Sequence, residues 1–377
     1  MFDKSTKPPH DGKNLNIQIL RAIAIIMVVM QHYKIRMPTE SWYLEMFRYI
    51  QLWPGVDIFL AISGYLMCKS LKNQSSGKGD FVKHLKSFLL KRFFRLYPVL
   101  MVWGTLTVLA CFFTAERFYT NPLSEFKTFL TSLMAVSNIY LHHCVTNGYI
   151  CSNGSGGVTW SLSLEWQLYF LIALIYIPLS RNINILAFIF TIICILSIFI
   201  PAAEPQNMAY AWWIRPIPFF IGAIIYLYND KKIPINPLLS KLLFLIFFIT
   251  LIASPLLVAT QFVSLSIGLS GAFLFYIFLN NITIKRSLIT HILNWLGDRS
   301  YSIYLCHIPV MLILATFYEY ISKTLNMHPG YLTLLIAYIG TMLSSAHITY
   351  ELVEKKGIAI RLKLNNIKKG HSPFFYI

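Results

Sequence analysis

Charged side chains are scarce in this chain of 377 residues, of which Asp, Glu, Lys and Arg make up only 12%. A soluble domain usually carries about twice that fraction. Cysteines number only six, and the sequence contains no fixed-period repeat and no low-complexity tract. Together with the apolar content described next, these shortages exclude a soluble globular protein, a disordered chain and a small disulfide-rich scaffold.

Apolar residues are abundant instead, at 56% of the chain, and they fall in long runs. Each run approaches the roughly 20 residues that a helix needs to cross a bilayer. The ten runs lie at 15–33, 51–68, 93–113, 158–179, 183–200, 212–228, 240–257, 260–280, 300–318 and 331–352. The sequence therefore predicts an all-α integral membrane protein with about ten transmembrane helices around a through-membrane cavity.

The basic residues are unevenly divided between the two sides that ten crossings define. Of the 32 Lys and Arg residues, 24 fall in one set of connecting segments and 7 in the other. Because cytoplasmic segments are enriched in Lys and Arg, both termini are predicted to be cytoplasmic. The predicted parts are a cytoplasmic N-terminal segment (1–14), a transmembrane domain (15–352) and a basic cytoplasmic tail (353–377).

Residues 114–157 are predicted to form an outer loop. Within it, residues 126–141 are apolar but short, and Lys127 lies near one end. A further crossing there would place the basic tail outside, so we predict an outer-face amphipathic or partly re-entrant helix. Cys144 and Cys151 also lie in this loop. They either form a disulfide, if the loop faces an oxidising periplasm, or remain free thiols.

Ionisable residues inside the predicted spans are functional candidates, because burying charge in a bilayer is costly. Arg21 and His32 lie eleven residues apart on the first span, a rise of about 16.5 Å that returns to nearly the same helix face. Both therefore face one cavity, Arg21 towards the cytoplasm and His32 towards the outside. Asp57 and Glu165 lie on spans that enter from the outer side, at a level near His32.

Two further arginines open the third span from the cytoplasm. Arg92 and Arg95 are three residues apart, which puts both guanidinium groups on one helix face. A donor with phosphates on a long arm fits this arrangement, because Arg92, Arg95 and Arg21 would bind its anionic end. Coenzyme A is a donor of this kind, so the arrangement suits acyl transfer from coenzyme A. The alternative is that both arginines are only positive-inside anchors.

His32 is the candidate general base at the outer level. A neutral imidazole accepts a proton from an acceptor hydroxyl, and Asp57 or Glu165 would fix its tautomer. Structural roles remain open for each residue. Asp57 would then cap its helix, and Tyr304 and His307 would only form hydrogen bonds between helices.

Five motifs, in this order, resemble those of the membrane-bound acyltransferase-3 family over residues 14–360. They are LRAIAIIMVVMQH with Arg21 and His32, GVDIFLAISGYLM with Asp57, KRFFRLYP with Arg92 and Arg95, TWSLSLEWQLYF with Glu165, and GDRSYSIYLCHIPV with Tyr304 and His307. The resemblance implies ten core transmembrane helices, acetyl-CoA as the acyl donor, and O-acetylation of a carbohydrate bound for the cell surface. Some family members carry a fused periplasmic hydrolase-like domain, and none is expected here.

The resemblance also implies a division of roles in a protein of the bacterial inner membrane. The predicted catalytic residues are His32, Asp57 and Glu165. The predicted donor-binding residues are Arg21, Arg92, Arg95, Tyr304 and His307, and no metal is expected. The expected partners are acetyl-CoA, membrane lipids and a carbohydrate or lipid-linked glycan acceptor of the O-antigen or capsule type, without nucleic acid.

Two other hypotheses remain. A transporter or flippase of a glycan or lipid-linked intermediate also needs buried charges at two depths. Against it, the chain shows no repeated halves, and Arg21 shares its helix face with a histidine suited to catalysis. The other hypothesis keeps the enzyme but changes the acyl group, for example to succinyl.

Overall fold

The structure is a computed structural model that describes residues 14–75, 80–118, 121–149, 151–152, 156–200, 213–229 and 233–368. Every regular element in these ranges is helical, as the sequence predicts. The α-helices are α1 (Leu15–Arg36), α2 (Ser41–Met46), α3 (Gly55–Ser75), α4 (Phe81–Phe118), α5 (Pro122–Leu133), α6 (Ser137–Thr146), α7 (Trp160–Leu179), α8 (Ile183–Ser197), α9 (Ile217–Leu227), α10 (Pro237–Leu257), α11 (Thr260–Asn280), α12 (Leu288–Thr324), α13 (Tyr331–Thr349) and α14 (Lys355–Lys368). A 3₁₀ helix, Gly156–Thr159, precedes α7, and a π-helical segment, Tyr350–Glu354, joins α13 to α14.

Seven of these helices are long and apolar enough to cross a bilayer, namely α1, α4, α7, α10, α11, α12 and α13. The chain is therefore an all-helical, multi-pass membrane protein. All ten predicted runs coincide with helices, but α8 and α9 have only 15 and 11 residues. Helix α3 carries Asp57, Lys69 and Lys72. The number of crossings and the cytoplasmic position of both termini thus stay predictions.

The outer loop predicted over 114–157 contains two α-helices rather than one. Helix α5 begins after Asn121, whose side chain accepts a hydrogen bond from the Leu123 N–H. After α5 the chain turns at Ala135, which has φ 57°. Gln167 of α7 donates to the Ala135 carbonyl oxygen over 2.8 Å and holds the turn in place. The prediction of one helix over 126–141 is therefore wrong, because a contact from α7 stabilises a break inside it.

Glycines let the central helices approach closely. Helix α3 packs on α9 so tightly that a Cβ atom on Gly64 would lie 1.8 Å from the Phe219 carbonyl oxygen. A Cβ atom on Gly222 of α9 would lie 2.0 Å from the Ala61 carbonyl oxygen. Helix α12 meets α1 in the same way at Gly297. Small residues at helix crossings are typical of membrane proteins, and here they bring the polar side chains of four helices within reach of one another.

Replacing Gly64 by valine is expected to destabilise the fold by at least about 1–3 kcal/mol, because the backbone of α9 occupies the space of the new side chain. Thermal unfolding and size-exclusion chromatography of the detergent-solubilised chain measure this effect. Gly340→Val is the matched control, since nothing lies within 4 Å of a Cβ at this position of α13. Equal melting temperatures for the two variants would contradict the close contact of α3 with α9.

Candidate active site

An internal cavity lies among α1, α3, α4, α7 and α12 and encloses about 90 Å³. A water molecule needs about 10–15 Å³ by this measure, so several would fit. The polar residues in its wall are Arg21, Ser63, Arg92, Arg95, Ser161, Glu165, Tyr169, Ser300, Tyr301 and Tyr304. The cavity thus unites five predicted site residues, whereas Asp57, His32 and His307 lie outside its wall.

Three guanidinium groups meet at this cavity. The Cζ atom of Arg92 lies 5.6 Å from the centre of the Phe88 ring and 6.0 Å from that of the Tyr169 ring. The Nε atom of Arg95 lies 3.7 Å from Oε1 of Glu354, and Arg21 lines the same space from α1. Glu165 lies in the same wall and Glu354 pairs with Arg95, so the wall keeps an excess of positive charge that suits a phosphate-bearing ligand.

Glu354 is the acidic partner of Arg95, and the sequence does not predict it. The π-helical segment turns its side chain inwards, where it is 2% exposed and accepts a hydrogen bond of 3.0 Å from Ser302. The sequence predicts residues 353–377 as a basic cytoplasmic tail. Nothing in YELVEKK distinguishes Glu354 from Glu351, because the inserted π turn changes which side chain faces the bundle.

Glu165 lies in α7 at the middle of the cavity. Its Oε1 atom accepts hydrogen bonds from the hydroxyl groups of Ser63 and Tyr169. These donors hold the carboxylate between α3 and α7. Among the described residues no contact joins Glu165 to His32.

His32 and His307 form a direct pair. The Nδ1 atom of the fully buried His307 lies 2.6 Å from the Tyr304 carbonyl oxygen, and its Nε2 atom lies 3.1 Å from Nδ1 of His32. A carbonyl oxygen only accepts, so Nδ1 of a neutral His307 carries the proton and its Nε2 accepts. His32 then donates from Nδ1, which leaves a lone pair on its Nε2. In this geometry His307 fixes the tautomer of His32, a function that the sequence hypothesis gives to Asp57 or Glu165.

Asp57 instead lies in a fully buried ion pair with Arg215. Its Oδ2 atom is 3.4 Å from Nη1 of Arg215. The Arg215 guanidinium lies between two indole rings, with Cζ 5.1 Å from the centre of Trp53 and 4.6 Å from that of Trp160. Arg215 is not among the candidate site residues that the sequence predicts. No local pattern reveals the pair, since it depends on how α3 packs against the segment before α9.

Tyr304 connects the cavity to the histidine pair. Its hydroxyl group lies 2.7 Å from the Val158 carbonyl oxygen and 2.7 Å from Oγ of Ser161. Its ring centre lies 5.8 Å from that of His307, one turn further along α12. The end of the cavity at Tyr304 is therefore adjacent to His307, and through it to His32.

Cys144 and Cys151 are joined by a disulfide bond, the first of the two alternatives that the sequence allows. Two hydroxyl groups of α5 donate to the Cys151 carbonyl oxygen, over 2.8 and 3.2 Å. These contacts hold Cys151 against α5. The 3₁₀ helix supports the wall of the cavity, because its Val158 accepts the hydrogen bond of Tyr304.

The comparison with known families agrees with this geometry. A family model described as an acyltransferase domain matches residues 14–350. The match covers most of the chain, so the described helices form an acyltransferase domain that is embedded in a membrane. The chain belongs to the acyltransferase-3 family, as the five motifs predict.

Similar proteins include O-acetyltransferases. The chain is 28% identical over 324 residues to a peptidoglycan O-acetyltransferase of Listeria monocytogenes, which covers 78% of this chain and 49% of that protein. It is 27% identical over 370 residues to a putative peptidoglycan O-acetyltransferase of Bacillus subtilis, covering 89% and 53%. An O-acetyl transferase of Shigella phage Sf6 is 23% identical over 348 residues, covering 89% and 93%. The chain spans about half the length of the first two relatives. No solved structure matches it.

Replacing Cys144 and Cys151 together by serine is expected to lower the free energy of unfolding by roughly 2 kcal/mol, because a short cross-linked loop is released. Thermal unfolding measures this loss. Cys194→Ser, which removes a free and half-buried thiol, is the control. In denatured protein purified without reductant, PEG-maleimide is expected to modify four cysteines before reduction and six after it. Six adducts before reduction would contradict the disulfide.

Proposed function

We propose that the chain is an O-acetyltransferase of the bacterial inner membrane. It takes the acetyl group from cytoplasmic acetyl-CoA and transfers it to a sugar hydroxyl of a cell-surface glycan at the outer face. The proposal depends on the hydrogen-bond chain from the Tyr304 carbonyl oxygen through His307 to Nδ1 of His32. A neutral His32 that donates from Nδ1 has an unprotonated Nε2, which can accept a proton. The relatives support O-acetyl transfer to a polysaccharide, and two of them bear the name of peptidoglycan.

The donor is assigned to the arginine side of the cavity. Arg92 and Arg95 lie on one face of α4, and Arg21 of α1 lines the same wall. The phosphates of acetyl-CoA would bind to these cations at the cytoplasmic mouth. The arm that carries the thioester would reach past these cations into the cavity.

The acceptor is assigned to the histidine side. Its hydroxyl proton moves to Nε2 of His32 as the oxygen attacks the acetyl carbon, so a C–O bond forms and the carbonyl oxygen becomes an oxyanion. Collapse of this intermediate breaks the C–S bond. The CoA thiolate leaves and takes the proton from His32. His307 holds His32 in the tautomer that this sequence of steps requires.

The runner-up is a transporter of a glycan or lipid-linked intermediate. It accounts for buried charge at two depths, but it gives no reason for a histidine pair whose tautomers are fixed by a backbone carbonyl. The neutral, hydrogen-bonded pair of His32 and His307 would not carry a charged group through a membrane. Such a pair does suit general-base catalysis. The geometry therefore favours the enzyme.

Replacing Arg92 and Arg95 together by alanine is expected to weaken acetyl-CoA binding at least tenfold, because two phosphate-binding cations are lost. Isothermal titration calorimetry of the detergent-purified chain measures the dissociation constant. His32→Ala should bind acetyl-CoA as the wild type does but should not transfer the acetyl group. Folded wild-type protein that fails to bind acetyl-CoA would contradict the donor assignment and favour the transporter. Full transfer by His32→Ala would contradict the base.

Replacing His307 by glutamine is expected to lower the turnover number by 10²–10⁴-fold, on the order of the losses seen when a general base is held in the wrong tautomer. The affinity for acetyl-CoA should stay unchanged, because the donor binds on the arginine side. The measurement is transfer of radiolabel from [¹⁴C]acetyl-CoA to glycan in inside-out membrane vesicles of the host. A variant with wild-type turnover would show that His307 does not orient His32.

A further inference from the structure

Ser161 and Tyr304 form a cluster of two hydroxyl groups in the wall of the cavity. Arg215 packs against Trp160, the residue before Ser161. Ser161 lies one turn before Glu165 on α7, about 6 Å along the helix axis. Tyr304 lies about 4.5 Å before His307 on α12. A thioester that enters past the arginines and a hydroxyl activated by His32 therefore meet beside this cluster.

The hydroxyl group of Tyr304 is held by a fixed acceptor. It donates to the Val158 carbonyl oxygen over 2.7 Å, because a carbonyl cannot donate. Its oxygen then accepts from Oγ of Ser161, which lies 2.7 Å away and only 3.4 Å from the same carbonyl. Ser161 is thus the member of the pair whose proton can be redirected, at the loss of its hydrogen bond to Tyr304. Rotation about one bond redirects it to a ligand oxygen in the cavity, whose wall Ser161 forms.

Arg215 supplies a fixed positive charge behind these hydroxyl groups. It is fully buried, and the indole ring of Trp160, next to Ser161 in the chain, lies against it. No described residue accepts a hydrogen bond from Nε, Nη1 or Nη2 of Arg215. Asp57 balances the charge at 3.4 Å, so the resting pair is neutral as a whole.

Burying such a pair is costly, and stability alone gives little reason to keep it. A catalytic role would be a reason to keep the pair, because negative charge develops on the acetyl oxygen during transfer. Fixed dipoles and charges stabilise such charge strongly in a site that holds little water. We infer that Ser161 donates the hydrogen bond that stabilises the oxyanion of acetyl transfer. Tyr304 positions Ser161, and Arg215 strengthens the site from behind without touching the substrate. This inference rests on the proposed function and identifies the residues that would stabilise its oxyanion.

The first test is Ser161→Ala. Removal of one oxyanion donor usually costs about 10²–10³-fold in turnover, and the same loss is expected here with an unchanged dissociation constant for acetyl-CoA. Turnover is measured as base-labile radiolabel transferred from [¹⁴C]acetyl-CoA in inside-out vesicles, and binding by calorimetry on the purified full chain. Ser266→Ala is the matched control, since Ser266 forms a similar hydroxyl pair with Ser254 over 2.7 Å, away from the cavity. It should leave both quantities unchanged.

The second test removes the charge of Arg215 while keeping the site neutral. The double variant Arg215→Gln/Asp57→Asn leaves no unpaired buried ion, so it is expected to fold and to lose at least tenfold in turnover with acetyl-CoA affinity unchanged. Arg215→Lys keeps the charge and should retain more turnover than the double variant. Arg299→Gln/Glu351→Gln is the matched control.

Arg299 suits this control because it is a second arginine between two aromatic rings with an acidic partner. Its Cζ atom lies 4.2 Å from the centre of Trp295 and 4.8 Å from that of Tyr350, and its Nη2 atom lies 3.5 Å from Oε1 of Glu351. It does not line the cavity. Its double variant should therefore keep wild-type turnover.

If wild-type vesicles acetylate glycan, three results would overturn the inference. The first two are wild-type turnover in Ser161→Ala and wild-type turnover in the Arg215/Asp57 double variant. The third is a fall in acetyl-CoA affinity in either variant that equals its fall in turnover, which would indicate a structural or binding role instead. Wild-type vesicles that transfer no base-labile label would contradict the proposed function itself, and the inference with it.

Discussion

The cost of burying charge away from water is the constraint on which this site depends. Two ion pairs at the site each join a buried carboxylate to an arginine from another segment of the chain. Arg95 of α4 pairs with Glu354 after α13, and Arg215 before α9 pairs with Asp57 of α3. Breaking one side of such a pair leaves an uncompensated charge, which costs about 3–5 kcal/mol. The pairs therefore fix the relative positions of the helices as well as the local electrostatics.

The same constraint explains why a histidine, rather than a carboxylate, holds His32. A carboxylate beside His32 would be a second buried charge and would draw a proton onto the imidazole at rest. The neutral His307 fixes the ring through Nδ1 without doing either, since its own proton is bound by the Tyr304 carbonyl oxygen. The structure thus separates the arginines and Glu165, which line the cavity, from a histidine pair that lies outside its wall.

The sequence predicts those relations that a single helix determines. The shared face of Arg21 and His32 and the adjacent position of Arg92 and Arg95 follow from helical periodicity alone, as do the helical runs themselves. The relations that fail or go unseen are those between segments. The partner of Asp57, the pairing of His32 with His307 and the break at Ala135 all depend on which helices pack together. Close backbone contacts at glycines decide that packing, and hydropathy does not encode them.

In the proposed transfer, water is the most abundant competing acceptor and has to be kept from the thioester. The cavity has room for several water molecules, so a bound thioester would have to displace them. The linked hydroxyl groups of Ser161 and Tyr304 lie in the same wall, so displacement of water and stabilisation of the proposed oxyanion would take place at one position. The 3₁₀ helix fixes that wall, because its Val158 accepts the hydrogen bond of Tyr304. Helix α5 lies close to the arginines, since Tyr97, two residues after Arg95, donates to the carbonyl oxygen of the last residue of α5 over 2.8 Å. The segments between α4 and α7 therefore support both the hydroxyl pair and the arginine side of the cavity.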